Sequence, residues 1–391
     1  MSEVLDRPMT RPDALTLSPI VIAAGGTGGH FFPAEALAAE LTWRGHTIVL
    51  MTDARSGALH SPAFQTAQTH VLQGAGIAGR GPAQALKSTL ALAQGTRQAR
   101  RLLRTLHPAA IVAFGGYPAI PPVLAALTIP RARRPIVVLH EQNAVLGRAN
   151  RLLARAADVI ALGMANTARL PRIPTSVTGN PVRPAIQALA GQPYHPPADD
   201  EPINLLVTGG SLGARIFSDA LPPAIALLSP ALRARLRITQ QCRPEDMDRV
   251  REAYAALSIP ADLAPFFPDL AARLAACHLV IARAGASTVA EIAAIGRPAI
   301  LVPLPHAIDN HQARNAAAID ARVLDQSEFQ HAPAVLAAAL SDALSCPDTM
   351  AMRAHAIAAH GRVYDSSAHG RPHAAAALAD LVEQQIRGTI P

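Results

Sequence analysis

Two apolar runs of this 391-residue chain end in clusters of glycine, at Gly25-Gly26-Thr27-Gly28-Gly29-His30 and at Gly209-Gly210-Ser211-Leu212-Gly213. Each pattern predicts a buried strand turning tightly into a helix, where open backbone N–H groups and the helix dipole favour a phosphate or an oxyanion. Two such turns predict two similar α/β halves with a ligand between them. The length agrees, because a single hydrophobic core rarely grows so large and two domains of roughly 150 to 200 residues are expected. An apolar content of 50% fills both cores.

Charge and cysteine usage narrow the setting. The net charge of +7 divides unevenly: residues 1–180 carry 18 Lys/Arg against 8 Asp/Glu, and residues 181–391 carry 17 against 20. A basic first half suits a polyanionic partner, whether an anionic lipid surface or a pyrophosphate. Aromatic residues make up only 3%, too few for base stacking to be the main business, while charge alone leaves a nucleic-acid binder open. Cys242, Cys277 and Cys346 lie far apart in no metal-ligand pattern, as in a reduced cytosolic chain. The first 17 residues lack the apolar core of a signal peptide, and no stretch reaches the 18 to 20 or so apolar residues of a membrane span. Membrane association, if present, is expected to be peripheral.

Short apolar runs at 20–24, 47–51, 110–114, 136–139 and 159–161 predict strands of the first half, and runs at 204–208, 237–240, 278–282 and 298–302 those of the second. They alternate with helical segments, the pattern of a mostly parallel sheet covered on both faces. The Pro-, Gly- and Asp-rich stretch 191–202 marks a surface excursion. Residues 82–106 predict one or two helices in which Leu86, Leu90 and Leu92 mingle with Lys87, Arg97, Arg100, Arg101 and Arg104. Such a segment fits either a peripheral membrane surface or a solvated basic face over an ordinary core.

The glycine turns match neither the Gly-x-Gly-x-x-Gly fingerprint of a dehydrogenase nor a Walker A loop. His30, at the end of the first turn, has the reference pKa of a general base near neutrality, or serves as a helix cap. Glu141, in His140-Glu141-Gln142-Asn143, is a second carboxylate base or a loop anchor accepting backbone N–H groups. The densest polar cluster runs from Arg283 to Glu291, where Thr288 and Glu291 have capping-box spacing. The competing reading lets Glu291 accept the two hydroxyls of a ribose. Beyond it, His306, Asp309, His311, Gln312 and Asn315 suit sugar hydroxyls, which both donate and accept.

Taken together, GGTGGHFFPA at 25–34, FGGYPAIPP at 114–122, HEQNAVLGRAN at 140–150, TGNPVR at 178–183, GGSLGA at 209–214 and the run from Arg283 to Ala316 resemble the MurG family. That family comprises the UDP-N-acetylglucosamine:lipid-linked MurNAc-pentapeptide N-acetylglucosaminyltransferases of bacterial cell-wall synthesis. The resemblance spans nearly the whole chain, in order. It implies an α/β GT-B fold, two Rossmann-like domains facing each other across a deep cleft. The implied division is an N-terminal tail 1–17, an acceptor- and membrane-binding domain 18–181 joined by the C-terminal helix 372–391, and a donor-binding domain 182–371.

Carried over residue by residue, the resemblance places UDP-N-acetylglucosamine against Thr27, Gly28, Gly29, Asn143, Arg183, Ser211, Gly213, Phe267, Glu291, Asp309, His311 and Gln312. Within that set Ser211 and the second glycine turn meet the diphosphate, Glu291 the ribose, the Phe267 backbone the uracil edge, and 309–312 the sugar. Gly25, Gly26, Gly115, Gly116 and Tyr117 resemble the acceptor pyrophosphate site. His30 is the leading catalytic base and Glu141 its rival. The implied reaction is inverting: the 4-hydroxyl of the lipid-linked muramyl acceptor (lipid I) attacks the anomeric carbon opposite UDP, giving lipid II. An epimerase acting on the same nucleotide sugar is the alternative, and a noncatalytic carrier-binding protein a more distant one. No cofactor and no essential metal are expected, Asp246-Met247-Asp248 lying in a charged helical segment outside these motifs. The expected location is the cytoplasmic face of the inner membrane, with an anionic membrane surface and other cell-wall synthesis proteins as partners and no nucleic acid.

Overall fold

A computed structural model of the chain describes residues 18–25, 28–54, 61–73, 82–210, 213–361 and 373–388. Gly26, Thr27, Ser211 and the 1–17 tail lie outside the described residues. The first half forms a seven-stranded sheet from β1 (Ile20–Ala23), β2 (Ile48–Thr52), β3 (Gln68–Val71), β4 (Ala110–Ala113), β5 (Ile136–Glu141), β6 (Val159–Leu162) and β7 (Thr175–Val177). The second forms a six-stranded sheet from β8 (Ile203–Thr208), β9 (Leu236–Gln241), β10 (Ala261–Ala264), β11 (Leu279–Ala282), β12 (Ala299–Leu301) and β13 (Arg322–Val323). All their ladders are parallel; Ile20, for example, lies between Ile48 and Ala110.

The inner strands are buried on both faces because helices cover both sides of each sheet, so their sequences read as continuous apolar runs. Ile20 and Ile22 pack on one face with Leu37 and Leu41, while Val21 and Ala23 pack on the other with Leu103 and Val123. The second sheet repeats this, with Leu205 and Val207 facing Phe217 and Leu221 and Leu206 facing Val289 and Ile292. The helix Ala374–Arg387 returns to the first domain, laying Leu378 and Val382 on the Ile20–Ile22 face. There Arg44 binds Asp380 at 2.7 Å and Glu40 at 2.9 Å, and His46 meets Glu383 at 2.9 Å.

Every strand expected from the sequence is present with its ends shifted by at most a few residues, and 82–106 is a single helix, Pro82–Leu106. The four unanticipated strands are β3, β7, β10 and β13, the outermost strand on each side of each sheet. Half exposed and polar, they carry no apolar run to announce them.

Strand order places the ligand. In the orders β3-β2-β1-β4-β5-β6-β7 and β10-β9-β8-β11-β12-β13 the chain reverses its winding between β1 and β4, and again between β8 and β11. Crevices open outside the carboxyl ends of strands at such points. Gly25 follows β1 and Gly115-Gly116 follow β4, whereas Gly209-Gly210 follow β8 and Gly285 follows β11.

Candidate active site

A cavity of about 810 Å³ lies between the two domains, with Gly28, Gly29 and Phe32 on one wall and Gly209, Gly210 and Gly213 on the other. Three helices begin at it: Gly28–Trp43 from the first domain, Arg215–Ala226 and Ala286–Ile295 from the second. The initial N–H groups of a helix have no partner within it, so three positive helix ends converge on this space. Arg183, Arg215, Arg243 and Arg283 also line it, with Glu291 as the acidic residue among them. Such a lining favours an anion carrying a few hydroxyls.

The second glycine turn works differently from its sequence reading. Gly209 N–H donates to Gln241 Oε1 at 3.1 Å and Gly213 N–H to the Gly210 carbonyl at 3.0 Å, so these amides are engaged within the turn. Gly209 is there for close packing, since a Cβ would stand 2.1 Å from the Ala214 nitrogen. Gly210 and Gly213 hold φ of 81° and 65°, a region costly for other residues. The turn delivers the first turn of Arg215–Ala226 to the cavity, where the open N–H groups of a helix start can receive an anion.

Glu291 does not cap its helix. Ala286–Ile295 has Gly285 at its N-cap with no side-chain cap, and the carboxylate turns instead to Arg183, with Oε1 at 2.8 Å from Nε and Oε2 at 2.9 Å from Nη2. Burial pushes the Glu291 carboxyl above the usual range, and the Arg183 guanidinium pulls the other way. Arg183 in turn lies over the Phe32 ring of the first domain, 4.7 Å from its centroid. Phe267, on the cavity wall and buried, carries Arg273 over its ring at 4.3 Å.

The 309–312 stretch divides. Gln312 lines the cavity and accepts the Leu304 N–H at 2.9 Å. Asp309, at φ 56°, instead binds Arg151 and Arg169 of the first domain at 2.5 and 2.6 Å. The Arg169 hydrogen bond foremost, with Arg151 behind it, holds its carboxyl below the usual range. His311 holds its Nδ1 2.7 Å from the Ile308 carbonyl and does not line the cavity. Asn143 contacts Asn315, whose Oδ1 also accepts the Ala144 N–H at 2.8 Å, so this pair is a bridge between domains.

Around the first domain's turns, His30 occupies the first turn of Gly28–Trp43, and its Cδ2 would be 3.3 Å from a Cβ at Gly116. Gly115 and Gly116 hold φ of 79° and 68° where β4 passes into the helix Gly116–Leu127, with Tyr117 partly exposed beside them. Gly25 is a packing glycine, since its Cβ would meet Thr52 Oγ1 at 2.7 Å. Glu141, the rival base, is only 1% exposed and accepts from Asn143 N, Asn143 Nδ2, Gly147 N and Asn150 Nδ2 at 2.8 to 3.0 Å. Four donors occupy the four acceptor positions of a carboxylate. Glu141 thus anchors its loop, the other of the two roles expected for it. Asp246 and Asp248 pair with Arg249 and Arg251 of their own helical segment. Among the described residues no group of three His, Cys, Asp or Glu could hold a metal ion.

Sequence reasoning passed over Phe32, Gln241, Arg243 and Gln326, which also line the cavity. Gln241 and Arg243 sit at the carboxyl end of β9, next to the switch strand, and polar residues directly after a buried run were the available signal.

Two Rossmann-like domains meeting across a cleft at their switch points define a protein of the GT-B fold class. The sequence matches the glycosyltransferase family 28 N-terminal domain over residues 20–162 and the family 28 C-terminal domain over 204–367. A Granulibacter bethesdensis protein named UDP-N-acetylglucosamine--N-acetylmuramyl-(pentapeptide) pyrophosphoryl-undecaprenol N-acetylglucosamine transferase is 58% identical, covering 94% of each chain. A Gluconobacter oxydans protein of the same name is 49% identical over 94% of this chain and 99% of its own. The crystal structure of Acinetobacter baumannii MurG superposes with a TM-score of 0.71 at 29% identity, covering 94% of this chain and 99% of that one. The chain belongs to the MurG family.

Proposed function

We propose that the protein is an inverting transferase moving N-acetylglucosamine from UDP-N-acetylglucosamine to the 4-hydroxyl of MurNAc-(pentapeptide)-pyrophosphoryl-undecaprenol. The observation that carries this is the interdomain cavity walled by helix starts from both domains and by four arginines. Nucleophile and leaving group need opposite sides of one anomeric carbon, and such a cleft supplies both. The acceptor O4 forms a bond to C1 as the bond from C1 to the UDP oxygen breaks; the acceptor proton passes to His30, and the electron pair leaves with UDP. Losing one well-placed donor to the departing charge costs about 3 kcal/mol, roughly a hundredfold in rate.

Under this reading Glu291 takes the ribose hydroxyls, with Arg183 holding its charge meanwhile, and Gln312 meets the sugar. Arg215 and Arg243 face the diphosphate. Cations and helix ends already supply the positive charge, so no essential divalent metal is proposed. The relatives named as transferases do not favour the epimerase alternative.

The protein is further proposed to work as a peripheral enzyme on the cytoplasmic face of the inner membrane, serving cell-wall assembly and through it cell shape and division. No helix among the described residues is long and apolar enough to cross a membrane. On Pro82–Leu106, Leu86 and Leu90 are 62% and 55% exposed, and exposed Arg97, Arg101 and Arg104 continue along the same face, within about 60° of arc. Apolar residues that enter the interface and arginines that meet anionic headgroups make a membrane-binding face. Transfer assays and separate substrate-binding measurements on His30→Ala and His30→Gln test the proposed base. Turnover should fall about 100-fold or more with binding retained; near-normal turnover in both removes His30 from the role.

A further inference from the structure

Behind the start of Gly28–Trp43, three side chains of the first domain form a directional chain. Gln142 is buried, and its amide Nε2 lies 3.1 Å from the Phe114 carbonyl and 3.2 Å from the His140 carbonyl. Carbonyl oxygens only accept, so the NH2 end of the amide must face them. Its Oε1 consequently points the other way, 3.0 Å from His30 Nδ1, and an amide oxygen only accepts. His30 Nδ1 must therefore carry a proton, which in the neutral ring leaves the lone pair on Nε2.

His140 is set by the same logic. Its Nδ1 stands 3.0 Å from the donating Gln142 Nε2, and its Nε2 stands 3.0 Å from the Gly179 carbonyl. The ring must accept at Nδ1 and donate at Nε2. Full burial lowers its pKa to about 4, which keeps it in that neutral form. Nothing in the sequence reading assigned Gln142 or His140 a part in the chemistry.

We infer that Gln142 is a positioning residue that fixes the His30 tautomer, proton on Nδ1 and lone pair on Nε2, while Phe114 O and His140 fix which way Gln142 faces. This rests on His30 acting as the base. A neutral imidazole without such a partner exchanges its proton between both nitrogens, and spends part of its time with the wrong one bare. The bare edge is also the one given room: a Cβ at Gly116 would stand 3.3 Å from His30 Cδ2 and 3.6 Å from Nε2, and Gly116 has none. Gly116 belongs to the turn that resembles the acceptor pyrophosphate site, so the lone pair opens toward the acceptor's side of the cleft.

The test is the imidazole nitrogen NMR spectrum of the full chain labelled with ¹⁵N-histidine, recorded with neutral imidazole rings, with His30→Gln identifying the signals. The expected result is a protonated Nδ1 and a bare Nε2 at His30 in the unmodified protein. A His30 ring protonated at Nε2, or one averaging both forms, overturns the inference, and this reading needs no substitution at Gln142. Gln142→Met, which keeps the length but cannot accept, should let the tautomers exchange and lower kcat about 10- to 100-fold while the KM for UDP-N-acetylglucosamine changes less than about threefold. An unchanged kcat with the tautomer released also overturns it. Failure of the underlying reading looks different: turnover surviving in His30→Gln removes the base, whatever the wild-type spectrum shows.

Discussion

Removing Arg183 would leave Glu291 buried without the guanidinium that holds both of its oxygens. Breaking one side of such a pair costs about 3 kcal/mol or more, whereas replacing both sides with apolar residues is nearly neutral. Arg183→Met is therefore expected to lower the urea midpoint strongly and Arg183→Met/Glu291→Leu to recover most of the loss, with the KM for UDP-N-acetylglucosamine raised in both. A single variant within 1 kcal/mol or so of wild type would contradict this account of the pair. His140 makes a second residue-scale prediction, with a definite sign. Its folded pKa of about 4 lies below the ordinary 6.5, so between those values the unfolded chain binds a proton that the folded chain refuses. The destabilisation is absent above pH 6.5 and grows as pH falls toward 4, reaching up to about 3 kcal/mol. His140→Gln should lose stability less steeply than wild type across that window in urea titrations; parallel curves would refute it. Sequence alone marked His30 because it ends a glycine-rich turn and Glu291 because it closes the densest polar cluster. Their partners were not legible, since Gln142 lies 112 residues from His30 and Arg183 lies 108 from Glu291. The capping-box spacing at Thr288 and Glu291 pointed to a local bond that this distant arginine displaced.

At the scale of elements, burial decided what could be read. Inner strands flanked by helices are apolar throughout and stood out, whereas edge strands such as Gln68–Val71, exposed or half-exposed along its length, present no such run. The helix Pro82–Leu106 was legible as a segment but not as a surface, because its outward face depends on what its other side covers. Its packing is tight: a Cβ at Gly95 would lie within bonding distance of the Gln73 carbonyl, which fixes the rotation that exposes Leu86, Leu90, Arg97, Arg101 and Arg104. Arg100, half-buried with its Nε enclosed, is not part of that exposed face. Charge reversal at Arg97, Arg101 and Arg104 is expected to weaken partitioning onto phosphatidylglycerol vesicles at least tenfold, leaving solution binding of UDP-N-acetylglucosamine unchanged. Unaltered partitioning would remove this helix as the membrane face.

At the scale of the molecule, specific polar contacts among the described residues join the two domains. Asp309 receives two arginines from the first domain, Asn315 joins Asn143 and Ala144, and the Ser287 hydroxyl donates to the Gly29 carbonyl at 3.3 Å. Asp309→Ala should open the cleft, seen as a larger radius of gyration in small-angle scattering and a raised KM for both substrates; an unchanged radius and KM would deny Asp309 that function. The basic first half now has a structural place, since its surplus arginines serve this junction and the exposed face of Pro82–Leu106 alike. Composition could register the surplus but not divide it between those uses. The account stands most directly on one measurement: purified protein incubated with labelled UDP-N-acetylglucosamine and the lipid-linked muramyl pentapeptide, with products resolved by linkage. It predicts UDP release only with acceptor present, in step with a β-1,4-linked disaccharide on the lipid. Consumption of the nucleotide sugar without acceptor, or an α linkage in the product, would contradict it.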